Sequence, residues 1–484
     1  MSHDLNPADA AFVARLTQAL GPGAVRPPEP RYLEEPRGRY HGQAAAVVRP
    51  ASTEAVAAAV RLCAEARVAI VPYSGGTGLV GGQILASGPM PVLLSFERMS
   101  RIRDIDVTDG ILTAEAGVIL ADVHATAADA GRIFPLTLAS EGSARIGGLL
   151  ATNAGGVHVI RYGNARDLCL GVEAVLADGT IVRGLSRVLK DNMGYNLRHV
   201  LIGSEGTLGL ITAASLRLYP RLGETATAWL SVASPAVALA LLGSLRAALG
   251  GTISAFELIS TQGLDFLAEV LPQVPLPPAM PGGWRVLVEA GDGPGGHVED
   301  RLEAALAEAM AAGLAGEALV AQGDAQRAAF WRVRETIPEA NRAIGAISSH
   351  DISVPPSRLP EFIDRAGPAL AAIDPGVRVN CFGHLGDGNL HYNAFPARGE
   401  SRDRYDPIRA EVSRTVHDLV HALGGSVAAE HGVGRLKVAD LERYADPGRL
   451  AAMRTLKRAL DPLGILNPGA VLAESDIQPD GIVR

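Results

Sequence analysis

Cysteine is scarce in this 484-residue chain: Cys63, Cys169 and Cys381 stand alone, with no CxxC pair. An odd, scattered set argues against a disulfide framework or a zinc ribbon, and fits a reducing compartment in which each is a small core residue. Lysine is scarce too, three among 44 basic residues. No Lys/Arg run or basic-aromatic interleaving occurs and 52 acidic residues outnumber the basic ones, so no nucleic-acid partner is expected. The least charged stretch, residues 229–245, is interrupted by Ser231, Ser234, Pro235 and Ser244. It falls short of the roughly 20 apolar residues that a membrane span needs, so no span is expected. The N-terminal MSHDLNPADAAF lacks the basic-then-apolar pattern of an export signal and reads as the start of a helix, which points to a cytoplasmic protein.

What remains is a mildly acidic chain longer than one hydrophobic core supports, so two or more domains are expected. Ser52 and Thr53 before Glu54, with apolar Val56, Val60 and Cys63, predict a capped amphipathic helix ending near Arg67, then a strand over 68–72. Short β-type segments such as PVLLSF and VEAVLADGTIV follow, separated by Gly, Asp and Asn turns. After Pro220 the texture changes: helices over 236–249 and 299–312 alternate with strands such as WRVLVEAG. A helix over 405–423 is stopped by Gly424 and Gly425. The expected division is an N-terminal helical segment (1–40), a first domain (41–220), a second (221–415) and a C-terminal segment (416–484).

Gly76, Gly78 and Gly81 fit GxGxxG after a strand, with Glu97 where a ribose-binding acid belongs in a Rossmann site. That motif requires a helix beginning at the glycines, whereas GGQILASGPMP places Gly and Pro there. The loop reads instead as backbone N–H groups wrapping a pyrophosphate directly, the glycines allowing positive φ and close approach. Further glycine-rich stretches, SEGSARIGGLLATNAGG and DNMGYNLRHVLIGSEGTLGLIT, follow in the same domain.

Together these three segments resemble the FAD domain of the vanillyl-alcohol-oxidase/p-cresol-methylhydroxylase flavoprotein superfamily, over about residues 41–472. The resemblance implies an α+β protein: a two-subdomain FAD-binding domain of p-cresol-methylhydroxylase type, an α+β substrate domain, and a C-terminal segment returning to the flavin. It implies that Pro72, Ser74, Gly75, Gly76, Thr77, Gly78 and Gly81 hold the pyrophosphate. Ser143, Gly147, Thr152, Asn153, Gly156 and Ile211 would flank flavin and adenine, and Asn467 would reach the ring. The pyrophosphate loop lacks the histidine through which some members attach FAD, so non-covalent FAD is implied. Ala470 stands where the family's NPGK tail carries Lys.

In VNCFGHLGDGNLHYN a strand over 378–383 meets Gly-Asp-Gly-Asn, a turn signal, and a second strand starts near Leu390. Folding at Asp387-Gly388 brings His384 and His391 together, and Asn393 shares the face of His391. Two converging histidines are half of a zinc-type site, and Glu430 beside His431 in AAEHGVG offers a third ligand and a base. Structural histidines are the competing reading. The set resembles the D-2-hydroxyglutarate/D-lactate dehydrogenase branch of the superfamily. This implies that His384, His391 and Glu430 bind a divalent metal, with zinc expected, that Asn393 and His431 meet the substrate, and that Arg334 grips its carboxylate. Pro338 and Ser349 replace a threonine and a lysine expected to engage substrate carboxylates, leaving Arg342 or His350 as substitutes.

The implied activity is oxidation of a small D-2-hydroxy acid, D-2-hydroxyglutarate favoured over D-lactate. No NAD site and no cysteine cluster accompany it, so an external electron acceptor, a quinone or an electron-transfer flavoprotein, is expected. A homodimer is compatible with the sequence.

Overall fold

The computed structural model describes residues 5–36, 38 and 40–473. They fall into two compact units, the described residues of 5–155 with Asn164–Arg221 and 430–473, and Gly156–Gly163 with Leu222–Ala429.

In the first unit Ser52 caps the helix Thr53–Ala66 by accepting from the Ala55 N–H at 3.2 Å, and Arg67 ends it in the left-handed region at φ 52°. Val56, Val60 and Cys63 are the apolar stripe it buries. A four-stranded sheet runs Val25–Arg26, Ala46–Val48, Val92–Ser95, Ile70–Tyr73, and its last two strands are parallel neighbours. Parallel neighbours need a long connection, usually helical. Here residues 74–91, which include the glycine loop, make it without any helix. Glu97 is no ribose ligand: it accepts from the Tyr32 hydroxyl at 2.7 Å and pairs with Arg49. A second sheet of five antiparallel strands runs Ile102–Asp106, Ile111–Glu115, Leu210–Arg217, Cys169–Val175, Ile181–Gly184.

The last segment closes this unit. The Ile70 N–H donates to the Ile465 carbonyl and the Asn467 N–H to the Ile70 carbonyl, each at 2.8 Å, and Ile465 and Leu466 enter the core beside Val60 and Leu94. Lys457, on the helix Pro447–Leu460, is buried with its ammonium on Asp461 (2.6 Å) and on the carbonyls of Thr207 (2.9 Å) and Leu466 (2.7 Å).

The second unit is a seven-stranded antiparallel sheet in the order Ala318–Val320, Glu224–Val232, Trp284–Asp292, Ile253–Ser260, Arg378–His384, Asn389–Phe395, Asp351–Ser353. Phe256, Leu258, Cys381 and Tyr392 face a core shared with the helices Pro235–Leu249, Val298–Ala311, Leu359–Ile373 and Arg409–Ala422. Trp229, Ile259, Phe382 and Phe395 face the helices Thr261–Val270 and Asp324–Ile344. Pro235–Thr252 is, by length and composition, apolar enough to cross a membrane, against the expectation for that region. Its Ala238, Leu241, Leu242, Leu245 and Leu249 are buried in the sheet's core, which accounts for the composition without a bilayer. The predicted helix over 405–423 divides, because Pro407 lacks an N–H and a 3-10 turn, Arg402–Ile408, precedes the α-helix Arg409–Ala422.

Removing one partner of a buried ion pair leaves the other charge without compensation, at about 3–5 kcal/mol. Lys457→Met should lower unfolding free energy by about that amount, measured by urea denaturation; a change under about 1 kcal/mol would show that the pair holds nothing together.

Candidate functional site

Tyr73 hands the chain to the glycine loop, where Gly76 (φ 70°) and Gly81 (φ 72°) need the left-handed conformation. A side chain on Gly75 would strike the Ser143 carbonyl, its Cβ 2.3 Å from that oxygen, so the loop and the second glycine-rich stretch pack backbone to backbone. Ser74 fastens them further, its Oγ accepting from the Gly148 N–H at 3.0 Å. Among the described residues the N–H groups of Gly75, Gly76, Thr77 and Gly78 donate to no backbone carbonyl, and the four residues are only partly buried. Consecutive donors of this kind are what a pyrophosphate requires, so the residues present fit FAD.

The other predicted cofactor residues are placed in the same unit, apart from Gly156, which opens the second. Gly147 lies in the short helix Ile146–Ala151, its N–H on the Ala116 carbonyl at 2.8 Å. Thr152 caps that helix, and Asn153 (φ 50°) accepts the Arg166 N–H at 3.0 Å. Ser143 is exposed, while Ile211 is buried beside a register shift in its strand. Asn467 is buried, its amide donating to the Glu205 carbonyl and accepting from Arg435, both at 2.8 Å.

In the second unit, period-two alternation puts one polar row across the helix-covered face that also carries Ile259, Phe382 and Phe395. Glu257 is opposite His384 in register, and His391 is opposite both Phe382 and Asp351. A ring nitrogen of His384 and one of His391 lie within 4.8 Å of each other. The hairpin joining them turns at Gly388 (φ 91°), where any side chain would strike the Val354 carbonyl.

Glu257 is fully buried and engages two side chains. One carboxylate oxygen accepts from Nε of Arg334 at 2.5 Å and the other contacts Nδ1 of His384. Burial alone would raise its pKa, but the Arg334 guanidinium and the His384 ring hydrogen-bonded to it outweigh that and hold it at about 2. With Nδ1 of His384 so engaged, Nε2 is the atom it would turn to a metal, the carboxylate–histidine arrangement that metal sites use to fix the tautomer. With Nε of Arg334 occupied, the two Nη groups form the fork that suits a carboxylate. The guanidinium also lies over the Phe382 ring, 4.8 Å from its centroid. The amide oxygen of Asn393 accepts from the His350 N–H at 3.0 Å, so the NH2 is the group it would offer a substrate.

Ala429 donates to the Asp351 carbonyl at 3.3 Å, so the chain leaves the second unit from the residue opposite His391, and Glu430 and His431 come next. Within the first unit, Glu430 lies over Gly155, where a Cβ would come within 2.8 Å of its Oε1. A pair of imidazoles and a carboxylate is a donor set that suits zinc.

The chain matches the family profile "FAD binding domain" over residues 44–184 and "FAD linked oxidases, C-terminal domain" over residues 223–471. It is 36% identical over 439 residues to an Oryza sativa subsp. japonica protein named "Probable D-2-hydroxyglutarate dehydrogenase, mitochondrial", covering 90% of this chain and 77% of that one. It is 35% identical to the D-2-hydroxyglutarate dehydrogenase of Xanthomonas citri pv. viticola, covering 89% and 90%. The chain belongs to the D-2-hydroxyglutarate dehydrogenase family. It is an FAD-linked oxidoreductase. The fold agrees: substrate-bound p-cresol methylhydroxylase superposes with a TM-score of 0.75 at 16% identity, covering 96% of this chain and 97% of the other.

The expected cytoplasmic location is corrected by these relatives. Those from rice, Arabidopsis thaliana, Bos taurus, Danio rerio and Rattus norvegicus are named as mitochondrial.

Glu257 was not among the predicted site residues. Its only signal is an acid inside the apolar run ISAFELIS, where a charge needs a partner from elsewhere in the chain. Of the proposed substitutes, Arg342 is exposed on the helix Asp324–Ile344, and His350 is buried with Nδ1 3.0 Å from Nε2 of His417. Pro338 and Ser349 are exposed.

Because the folded pKa of Glu257 lies below its ordinary 4.5, the stability it contributes is present above pH 4.5 and is lost as pH falls toward 2. Glu257→Gln should therefore flatten the acid limb of unfolding free energy between those pH values. An acid limb unchanged from that of the parent protein, followed by denaturant titration, would remove Glu257 from this account.

Proposed function

We propose that the protein oxidises D-2-hydroxyglutarate to the 2-keto acid, with FAD held non-covalently and a divalent metal, zinc by its donor set, held by His384, His391 and Glu430. The observation that carries the reading is the shared buried partner: Glu257 fixes one metal-ligand candidate and the carboxylate fork at the same time. When bound, FAD supplies the two-electron sink for the hydride from C2, and the metal supplies Lewis-acid polarisation of the hydroxyl oxygen.

The chain's own groups do the rest. The Nη atoms of Arg334 bind the C1 carboxylate bidentately and set which face of C2 points at the cofactor. His431 takes the hydroxyl proton on a ring nitrogen as general base. Asn393 donates from its NH2 to a substrate oxygen. The residues proposed to hold FAD are Pro72, Ser74, Gly75, Gly76, Thr77, Gly78 and Gly81 at the pyrophosphate and Ser143, Gly147, Thr152, Asn153, Gly156, Ile211 and Asn467 along the rest. A quinone or an electron-transfer flavoprotein would then reoxidise the cofactor.

A second reading, a dehydrogenase for D-lactate or another monoacid, is favoured by Pro338 and Ser349, neither of which carries a charge for a distal carboxylate. A missing charge-assisted hydrogen bond weakens binding by about 1.5–3 kcal/mol, roughly 10- to 100-fold. D-2-hydroxyglutarate should still be preferred, because the metal hairpin and Arg334 follow that branch and Arg342 stands one turn beyond Pro338 on the same helix. The test is kcat/KM with an artificial acceptor dye across D- and L-2-hydroxy acids. A preference for D-lactate of about tenfold, about 1.4 kcal/mol, would shift the assignment to the monoacid, and turnover confined to L-acids would overturn it.

The absence of histidine from the pyrophosphate loop also gives an expectation for the cofactor. Acid precipitation of the yellow protein should release all flavin into the supernatant, and yellow colour kept in the pellet would refute non-covalent attachment.

A further inference from the structure

Within the first unit, Glu205 meets three separate segments. Its N–H donates to the Ala151 carbonyl and its carbonyl accepts from the Asn467 amide, each at 2.8 Å. Its carboxylate accepts the N–H of Val433 at 2.7 Å and of Gly434 at 2.8 Å, one oxygen each. The residue is buried and held at φ 51°, a left-handed conformation that a side chain of this size adopts only where its surroundings impose it. Gly432 (φ 81°) packs so closely on the carboxylate that a Cβ there would lie 2.6 Å from Oε1.

The same turn is fastened to the pyrophosphate loop. The N–H groups of Arg435 and Leu436 both reach the Val80 carbonyl, at 3.0 and 3.1 Å. The Arg435 guanidinium donates to the carbonyls of Gly81 (3.1 Å) and Gly82 (2.8 Å). Residues 432–436 are thus gripped by a buried carboxylate on one side and by the glycine loop on the other, and Glu430 and His431 lead directly into them.

We propose that Glu205 is a positioning residue for the oxidation: by holding the N–H groups of Val433 and Gly434 it fixes the turn that presents Glu430 and His431, and Arg435 keeps that turn in register with the pyrophosphate loop. This rests on the functional reading above, in which Glu430 and His431 serve the chemistry. A glutamine at 205 keeps the size but turns an NH2 toward one of the two N–H groups, so one bond is lost while the fold is retained.

The experiment compares the FAD-loaded parent protein with Glu205→Gln and Glu205→Asp, reading amide hydrogen exchange over residues 430–436, flavin content, kcat and KM. In Glu205→Gln, exchange at Val433 and Gly434 should accelerate about tenfold or more while the flavin content stays that of the parent. Turnover should fall about 10- to 100-fold with KM changed less than about threefold, since a small misplacement acts on the reacting geometry. Glu205→Asp, which keeps both oxygens on a shorter stem, should lie between and gives the same comparison if the glutamine variant does not fold. Unchanged exchange would overturn the clamp. Faster exchange with unchanged kcat would overturn its part in the reaction, and if His431→Ala also left kcat unchanged, the functional reading would fall with it.

Discussion

A carboxylate with no access to water must be matched by charge and by hydrogen bonds, and Glu257 has both, the Arg334 guanidinium on one oxygen and Nδ1 of His384 on the other. This requirement organises the site in the second unit. Neither partner can be moved independently, because each occupies one oxygen of the same group, and removing Arg334 would leave an ionised acid without a matching charge in a low-dielectric interior. The arrangement also selects which atoms remain for chemistry: Nε2 on the histidine and the two Nη groups on the arginine. Orientation therefore comes from the antiparallel register of Ile253–Ser260 against Arg378–His384 and from the helix Asp324–Ile344 that carries Arg334.

The local parts of this site were legible in the chain. The hairpin of His384 and His391 depends on a turn signal and on period-two alternation, both contained within fifteen residues, and the strands Arg378–His384 and Asn389–Phe395 form where that pattern places them. Composition likewise exposed the glycine loop, and the Gly and Pro after it argued against a helix there. Glu257 was not legible, because it is 127 residues from His384 and 77 from Arg334 in sequence and is joined to them only by sheet pairing and helix packing. Glu97 illustrates the converse, a spacing that suggests a ribose ligand while the carboxylate serves Tyr32 and Arg49.

Apolarity taken alone is ambiguous for a related reason. The helix Pro235–Leu249 is nearly uncharged because its buried residues share one apolar core with the sheet and Val298–Ala311, where a charged group would have no partner. Length and composition cannot distinguish such a core helix from a membrane segment, whereas burial of Leu241, Leu242 and Leu245 does.

The first unit is interrupted by roughly 200 residues, Leu222–Ala429, before Glu430 resumes it. During synthesis at about 5–20 residues per second, the nascent chain waits about 10–40 s between emergence of Arg221 and arrival of the stretch that completes its core. Through that interval the Ile70 edge lacks Leu466, Glu205 lacks Val433 and Gly434, and the Thr207 carbonyl lacks Lys457. The half made first is thus finished last, and through that interval its open strand edge is exposed to pairing with other chains.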